Sequence, residues 1–344
     1  MAKKPAASAP TGPTRWSHVL APDAIDMTTD LASLTLPNPV LTASGCAANG
    51  PELGQFLDVS ALGAFVTKSV MALPRSGRPT PRMAETPSGM LNSIGLQGPG
   101  IDAFIAKDLP WLAAQDARVV VSIAGSSVEE YAKLAQKLRG KPGMSMLEVN
   151  ISCPNVADRG QVFACNPRAA AEVIDAVRRS STVPVFAKLS PDVTDIVQVA
   201  DAVVAAGAHG LSVINTLLGM AIDTDSLQPV LGGRTGGLSG PAIRPVAVRC
   251  VWQLHEAMPH VPILGMGGIR SGRDALEFIL AGASAVSIGT AVFGDPTAPV
   301  RVLAELRGLL AERGFPALRD AIGYAHLPPD RRRLSHAVVE EEVV

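Results

Sequence analysis

The chain has 344 residues, of which 47% are hydrophobic but only 4% aromatic, and its formal charge is -1. A core of Ala, Val, Leu and Ile suits many packed strands and helices, and α/β barrels of this length commonly form one domain. The near-zero charge, with no sustained basic stretch in the body of the chain, argues against a surface that neutralises nucleic-acid phosphates and favours a small-molecule substrate.

From Met1 to Arg15 the chain carries Lys3 and Lys4, then Ala, Ser, Pro, Thr and Gly, without the apolar core of a signal peptide. Residues 1–20 are expected to be a disordered tail. Nowhere do roughly 18 apolar residues run uninterrupted, so no membrane span is expected. The four cysteines, Cys46, Cys153, Cys165 and Cys250, form no CxxC pair. That spacing suggests neither a metal site nor a disulfide framework, and a reducing cytoplasm fits it.

Short apolar runs then alternate with segments of helical period. They are Val40 to Ser44, Ala64 to Ser69, Val119 to Ile123, Met146 to Ile151, Val185 to Leu189, Gly210 to Ile214, Ile263 to Met266 and Ala285 to Ile288. Eight is the number that closes a parallel barrel, so a (β/α)8 TIM barrel is expected over residues 21–325, as a single domain with no internal repeat. Between them, Ile243, Val246, Ala247, Cys250, Val251 and Leu254 follow helical spacing, as do Ile196, Val199 and Val203. Ser271 and Thr194 are candidate helix caps. A doubly wound sheet would share this alternation; the barrel is favoured by the strand count and by the polar residues, which fall at strand ends. Lys68, Asn150, Ser152, Cys153, Asn155, Lys188, Asn215 and Thr216 all lie at or just past a strand's carboxyl end, on the rim where barrel enzymes assemble their sites.

The connections Met71 to Gly100 and Leu217 to Gly240 are long and rich in Gly, Pro and Thr, and are expected to be functional loops on that face. A short helix is expected from Pro316 to Ala325, followed by a tail over 326–344. Gly267 and Gly268 after the seventh strand, with Gly289 and Thr290 after the eighth, allow close approach of backbone N–H groups and are expected to bind a phosphate. Lys68 and Lys188, flanked by apolar residues, would be desolvated unless they met an anion or a carbonyl. Cys153 follows its strand, precedes a proline and is bracketed by Asn150 and Asn155, whereas Cys250 on an apolar helix face reads as core. Cys46 reads equally as packing or as a wall of the ligand site.

The run Asn150 to Asn155 (NISCPN) resembles the active-site segment of the class 1 dihydroorotate dehydrogenases, in which the cysteine is the catalytic base. Thr80 to Gly100, Val185 to Ile196, Ile214 to Gly219, Gly236 to Pro241, Gly265 to Ile269 and Leu280 to Gly289 resemble further family segments in family order, over about residues 38–296. The resemblance implies FMN as cofactor and oxidation of (S)-dihydroorotate to orotate in pyrimidine biosynthesis. It assigns Cys153 as base, and Lys68, Asn92, Ile94, Gly95, Leu96, Asn150, Asn155, Asn215 and Thr216 to the substrate. The flavin would be met by Ser44, Gly45, Lys68, Ser69, Asn150, Lys188, Ile214, Gly240, Gly267, Gly268, Gly289 and Thr290.

Within the family the cysteine and the polar N-terminus separate this chain from the membrane-bound members with a serine base. MAETPSGMLNSIGLQ and INTLLGMAID are more similar to the NAD-linked class 1B, in which a flavin subunit, as a homodimer or in a heterotetramer, pairs with an FAD and iron–sulfur subunit. The fumarate-using class 1A homodimer is the runner-up. A tRNA-dihydrouridine synthase would need an RNA-binding face that the charge does not supply, and a dihydropyrimidine dehydrogenase barrel usually has His where Asn155 stands. A phosphate-binding barrel without catalysis would leave Cys153 and the amides unexplained. The chain departs from the pattern at Gly98, where many relatives have Asn, and at Ala164 and Cys165, within a segment expected to cover the substrate.

Overall fold

The computed structural model describes residues 20–151 and 165–329. Its eight barrel strands are β1 (Val40–Thr42), β2 (Phe65–Val66), β3 (Val119–Ile123), β4 (Met144–Asn150), β5 (Val185–Leu189), β6 (Gly210–Val213), β7 (Ile263–Met266) and β8 (Ala285–Ile288). They pair in parallel in sequence order, β8 returns to β1, and a Leu41 to Ala64 bridge joins β1 to β2 and closes the ring. All eight expected strands are present: β3, β5, β7 and β8 have the expected ends, and β1, β2, β4 and β6 have ends shifted by one to three residues. β2 is the shortest, and Lys68 stands two residues past its end.

Helical segments cover the outside: α1 (residues 101–114, with a π-helical middle), α2 (Val128–Leu138), α3 (Pro167–Ser180), α4 (Ile196–Ala205), α5 (Arg244–Ala257), α6 (Gly272–Leu280) and α7 (Ala298–Glu312). The periodic residues of α4 are buried, as are Ala247, Cys250, Val251 and Leu254 of α5, while Val246 is half-buried and Ile243 is buried in the turn before α5; Cys250 is core, 1% exposed. Ser271 caps α6, accepting from Asp274 N at 3.2 Å. For α4 the cap is Asp195 rather than Thr194: its carboxylate accepts from Val197 N and Gln198 N, which a carboxylate reaches readily from that position.

Strand alternation sorts the barrel interior into layers. The floor is Leu41, Val66, Val120, Met146, Phe186 and Leu264, sealed from below by Leu31 and Leu36 of a hairpin, Thr29–Leu31 with Leu34–Leu36. Above it lie Ser122, Glu148, Lys188, Ser212 and Ser287, all buried. The rim stands above these.

The long segments expected as loops contribute strands to a four-stranded antiparallel sheet, ordered Leu217–Met220, Thr235–Ser239, Gly89–Asn92, Met83–Thr86. Their pairing across about 145 residues is tertiary and leaves little trace in local pattern. The helix expected over 316–325 is instead two 3-10 turns, Leu318–Asp320 and Tyr324–His326. The second turn packs on the barrel: His326 stacks on Trp252 with centroids 3.5 Å apart and its Nε2 lies 3.0 Å from the Ala281 carbonyl. No helix among the described residues is long and apolar enough to cross a membrane.

Candidate active site

Two cavities open at the carboxyl rim and share the wall formed by Ser44, Cys46, Lys188, Asn215, Thr216, Ser239 and Thr290. The first, about 290 Å³, lies against the ends of β6, β7 and β8, with Ile214, Gly240, Gly267, Gly268, Arg270, Gly289 and Thr290 in its lining. The second, about 280 Å³, reaches under the antiparallel sheet and is lined by Gly45, Lys68, Ser69, Asn92, Ile94, Gly95, Leu96 and Asn150. Every residue expected from the sequence to touch substrate or flavin borders one or both cavities, save Cys153 and Asn155, which lie outside the described residues together with most of the expected covering segment.

The glycine-lined lobe owes its shape to backbone that only glycine allows. Gly267 and Gly268 have φ of 134° and 78°, and a Cβ on Gly268 would stand 2.6 Å from the Gly240 carbonyl oxygen. The loop after β7 therefore meets the Gly240 segment backbone to backbone. Thr290 Oγ1 bonds Ser239 Oγ at 2.8 Å and ties the end of β8 to the sheet above. After β7 a true helix, α6, follows as expected; directly after β8 the chain forms only the 3-10 turn Thr290–Phe293. The rest of the lining, Ile214, Ile243, Met266 and Ile269, is apolar. Glycine backbone, the Thr290 hydroxyl and Arg270, together with this apolar lining, fit a ring-bearing phosphate ester.

The amide-lined lobe is held by a hydrogen-bonded chain that links the ends of five barrel strands, β1, β2, β3, β4 and β6. Asn150 Nδ2 donates to Ser69 Oγ at 3.0 Å, and Ser69 Oγ lies 2.9 Å from Ser122 Oγ and 3.2 Å from Ser44 Oγ. Asn215 Nδ2 donates to Asn150 Oδ1 at 3.3 Å, while Asn215 Oδ1 accepts from Thr216 N at 2.8 Å. Asn92 donates to the Gly237 carbonyl at 3.2 Å, fixing its strand over the cavity. With the amides locked in this way, their remaining donors and acceptors are pre-set for a planar polar ring.

Cys46 borders both lobes, and its thiol is pushed up to about 11, chiefly by burial and against the pull of Lys188 and Lys68. It is a neutral thiol at physiological pH. Cys165 is exposed, with its Sγ 3.7 Å from the Asp192 carbonyl oxygen.

Sequence reasoning missed several supporting residues. Tyr131 of α2 donates to the Asn150 carbonyl at 2.7 Å and braces the end of β4. Both carboxylate oxygens of Asp192 accept from Leu218 N, each at 3.1 Å, anchoring the segment just past Thr216. Glu148 pairs with Lys188 inside the barrel. The last could have been noticed, because a carboxylate in the otherwise apolar run MLEV is out of character for a buried strand.

A closed (β/α)8 ring with a glycine-lined lobe and an amide-lined lobe side by side at its carboxyl rim defines a barrel of the kind that assembles its site on that rim. The model of the family described as dihydroorotate dehydrogenase matches residues 26–310, and the chain belongs to that family. It is 53% identical over 298 residues to the Geotalea daltonii protein named dihydroorotate dehydrogenase B (NAD(+)), catalytic subunit, covering 87% of this chain and 97% of that one. The Desulforudis audaxviator protein of the same name is 52% identical over 296 residues, 86% of this chain and 96% of the other. The crystal structure of DHODH in complex with ferulenol from Eimeria tenella superposes with a TM-score of 0.75 at 23% identity, covering 92% of each chain, and supports the fold.

Proposed function

We propose that this chain is the FMN-binding catalytic subunit of a cytoplasmic, NAD-linked dihydroorotate dehydrogenase that oxidises (S)-dihydroorotate to orotate in pyrimidine biosynthesis. The reading is supported by family membership, by relatives of the same name at over half identity, and by one observation above all: the locked amide chain Asn150–Asn215–Thr216 adjoins the glycine-lined lobe across a single shared wall.

Gly267, Gly268, Gly289 and Thr290 would hold the FMN phosphate through backbone N–H groups and a hydroxyl, with Ser44, Gly45, Gly240 and Ile214 along the remaining cofactor surface. When bound, FMN supplies the hydride acceptor. Asn92, Asn150, Asn155, Asn215 and Thr216 orient the pyrimidine by its carbonyl and N–H edge, and Lys68 offers its ammonium to the carboxylate. Ile94, Gly95 and Leu96 shape the wall that shields the ring from water. Cys153, as thiolate, takes the proton from the ring carbon beside the carbonyl while the neighbouring carbon loses hydride, and the ring gains a C=C bond. A free thiol titrates at roughly 8.5, so turnover should rise with pH through the alkaline range.

Electrons then leave through a partner subunit carrying FAD and an iron–sulfur centre, in a heterotetramer built on a homodimer of this chain. The class assignment is tested by turnover of dihydroorotate with NAD or fumarate as acceptor, with and without the co-expressed partner. NAD reduction that requires the partner is expected; rapid fumarate reduction by this chain alone would overturn it.

A further inference from the structure

Glu148 and Lys188 form a buried ion pair inside the barrel, with Oε1 to Nζ at 3.4 Å and side chains 0% and 6% exposed. Charges removed from water in this way cost more than an apolar pair of the same size, so the pair calls for a reason other than stability. The register supplies one. On β4, Glu148 sits one inward position below Asn150, and Lys188 on β5 lies directly beside Asn150 and beside Ser212 of β6. Lys188 borders both lobes of the site, whereas Glu148 borders neither. Among the described residues Lys188 is the only ionic partner of Glu148, and the second carboxylate oxygen, Oε2, has no hydrogen-bond partner. The carboxylate is therefore not spent on holding the backbone.

We infer that Glu148 is a positioning residue that pins the Lys188 ammonium at the wall shared by the two lobes and sets the electrostatic potential felt by the flavin. This rests on the flavin reading above. Lys188 alone would place a full positive charge in a poorly solvated pocket wall and strongly favour the electron-rich, reduced cofactor. With Glu148 behind it, the cofactor meets a partly neutralised cation, so reduction by substrate and re-oxidation by the acceptor both stay accessible.

The test is the midpoint potential of the bound flavin in holoenzyme carrying Glu148→Gln or Glu148→Asp, measured by equilibration with reference dyes. Glu148→Gln keeps the shape and one acceptor but loses the charge. It should favour reduced over oxidised flavin at least tenfold more than the wild type does, a rise of about 30 mV for a two-electron couple. Glu148→Asp keeps the charge and should stay within about threefold of wild type. A purely structural role would lower flavin content or thermal stability and leave the potential in place; a Glu148→Gln potential equal to wild type overturns the inference. Should Glu148→Gln fail to fold, the double variant Glu148→Gln/Lys188→Met, which leaves no unpaired charge, is expected to fold. Failure of that protein too would mean that Glu148 acts through something other than Lys188, and would equally sink the idea. A wild-type protein that binds no flavin would instead remove the functional reading itself, so the two failures are distinct.

Discussion

Replacing Gly268 by Ala tests the physical basis of the glycine-lined lobe. At φ 78° an L side chain is strained by roughly 1–2 kcal/mol. The new Cβ would stand 2.6 Å from the Gly240 oxygen, 3.0 Å from Arg244 Cβ and 3.1 Å from the Gly240 carbonyl carbon. Two of these three contacts are backbone, which cannot swing away as a side-chain end could, so overpacking adds about 1–3 kcal/mol. The sum, roughly 3 kcal/mol, corresponds to a Tm lower by about 6 °C if a domain of this size loses about 2 °C per kcal/mol. If about half of the strain returns whenever the loops close on ligand, the flavin Kd rises roughly tenfold. Gly98→Ala is the matched control: nothing lies within 4 Å of its Cβ, and the change should stay within about 0.5 kcal/mol. Calorimetry with flavin titration of the apoproteins reads both quantities. A Gly268→Ala protein with wild-type Tm and flavin affinity would refute the claim that the two loops must touch to shape this lobe.

Asn150→Ala removes the bonds to Ser69 and Asn215, at about 1–3 kcal/mol for the two together. The KM for dihydroorotate should rise at least tenfold in steady-state assays, more than the loss of Tm explains. Leu31→Ala opens the sealed floor of the barrel and should cost about 2–5 kcal/mol in denaturant melts, while kcat per folded molecule is retained because the site lies at the other end. Burial, and then the neighbouring His326, hold His255 below the usual histidine range. The unfolded chain therefore binds the proton more readily, so stability is full above the ordinary pKa of about 6.5 and falls as pH drops through it towards the lower folded value. Melts across that interval should show the fall, and His255→Gln should flatten it.

The barrel was legible because its strands are buried on both faces and read as mainly apolar runs, VVVSI or VFAKL, broken only by an inward Ser122 or Lys188 and separated by helical periods. The antiparallel sheet over the mouth was not. GMLN, TGGLS and LLGM are short, half-exposed and rich in glycine, and only pairing makes them strands, within each connection and, between GMLN and TGGLS, across the two. The hairpin that plugs the floor failed to register for the same reason, since TDL and LTL are too brief for a period to show. Of the site, the rim residues could be found from their position after strands, and the glycines from the backbone freedom they confer. The bracing by Tyr131 and Asp192 could not, because each acts on a backbone atom far away in sequence or on a different loop. The assignment of Cys153 as the base still rests on its motif.

Dihydroorotate is expected to give up its hydride in this chain's own site, with Cys153 taking the proton. Anaerobic mixing of the flavin-loaded chain with dihydroorotate near neutral pH, followed by visible absorbance, tests it without any partner or acceptor. The wild type should bleach and yield orotate, while Cys153→Ser should bind dihydroorotate with little bleaching. An unbleached wild type, or a Cys153→Ser protein that bleaches as fast, would rule out Cys153 as the base for this reaction.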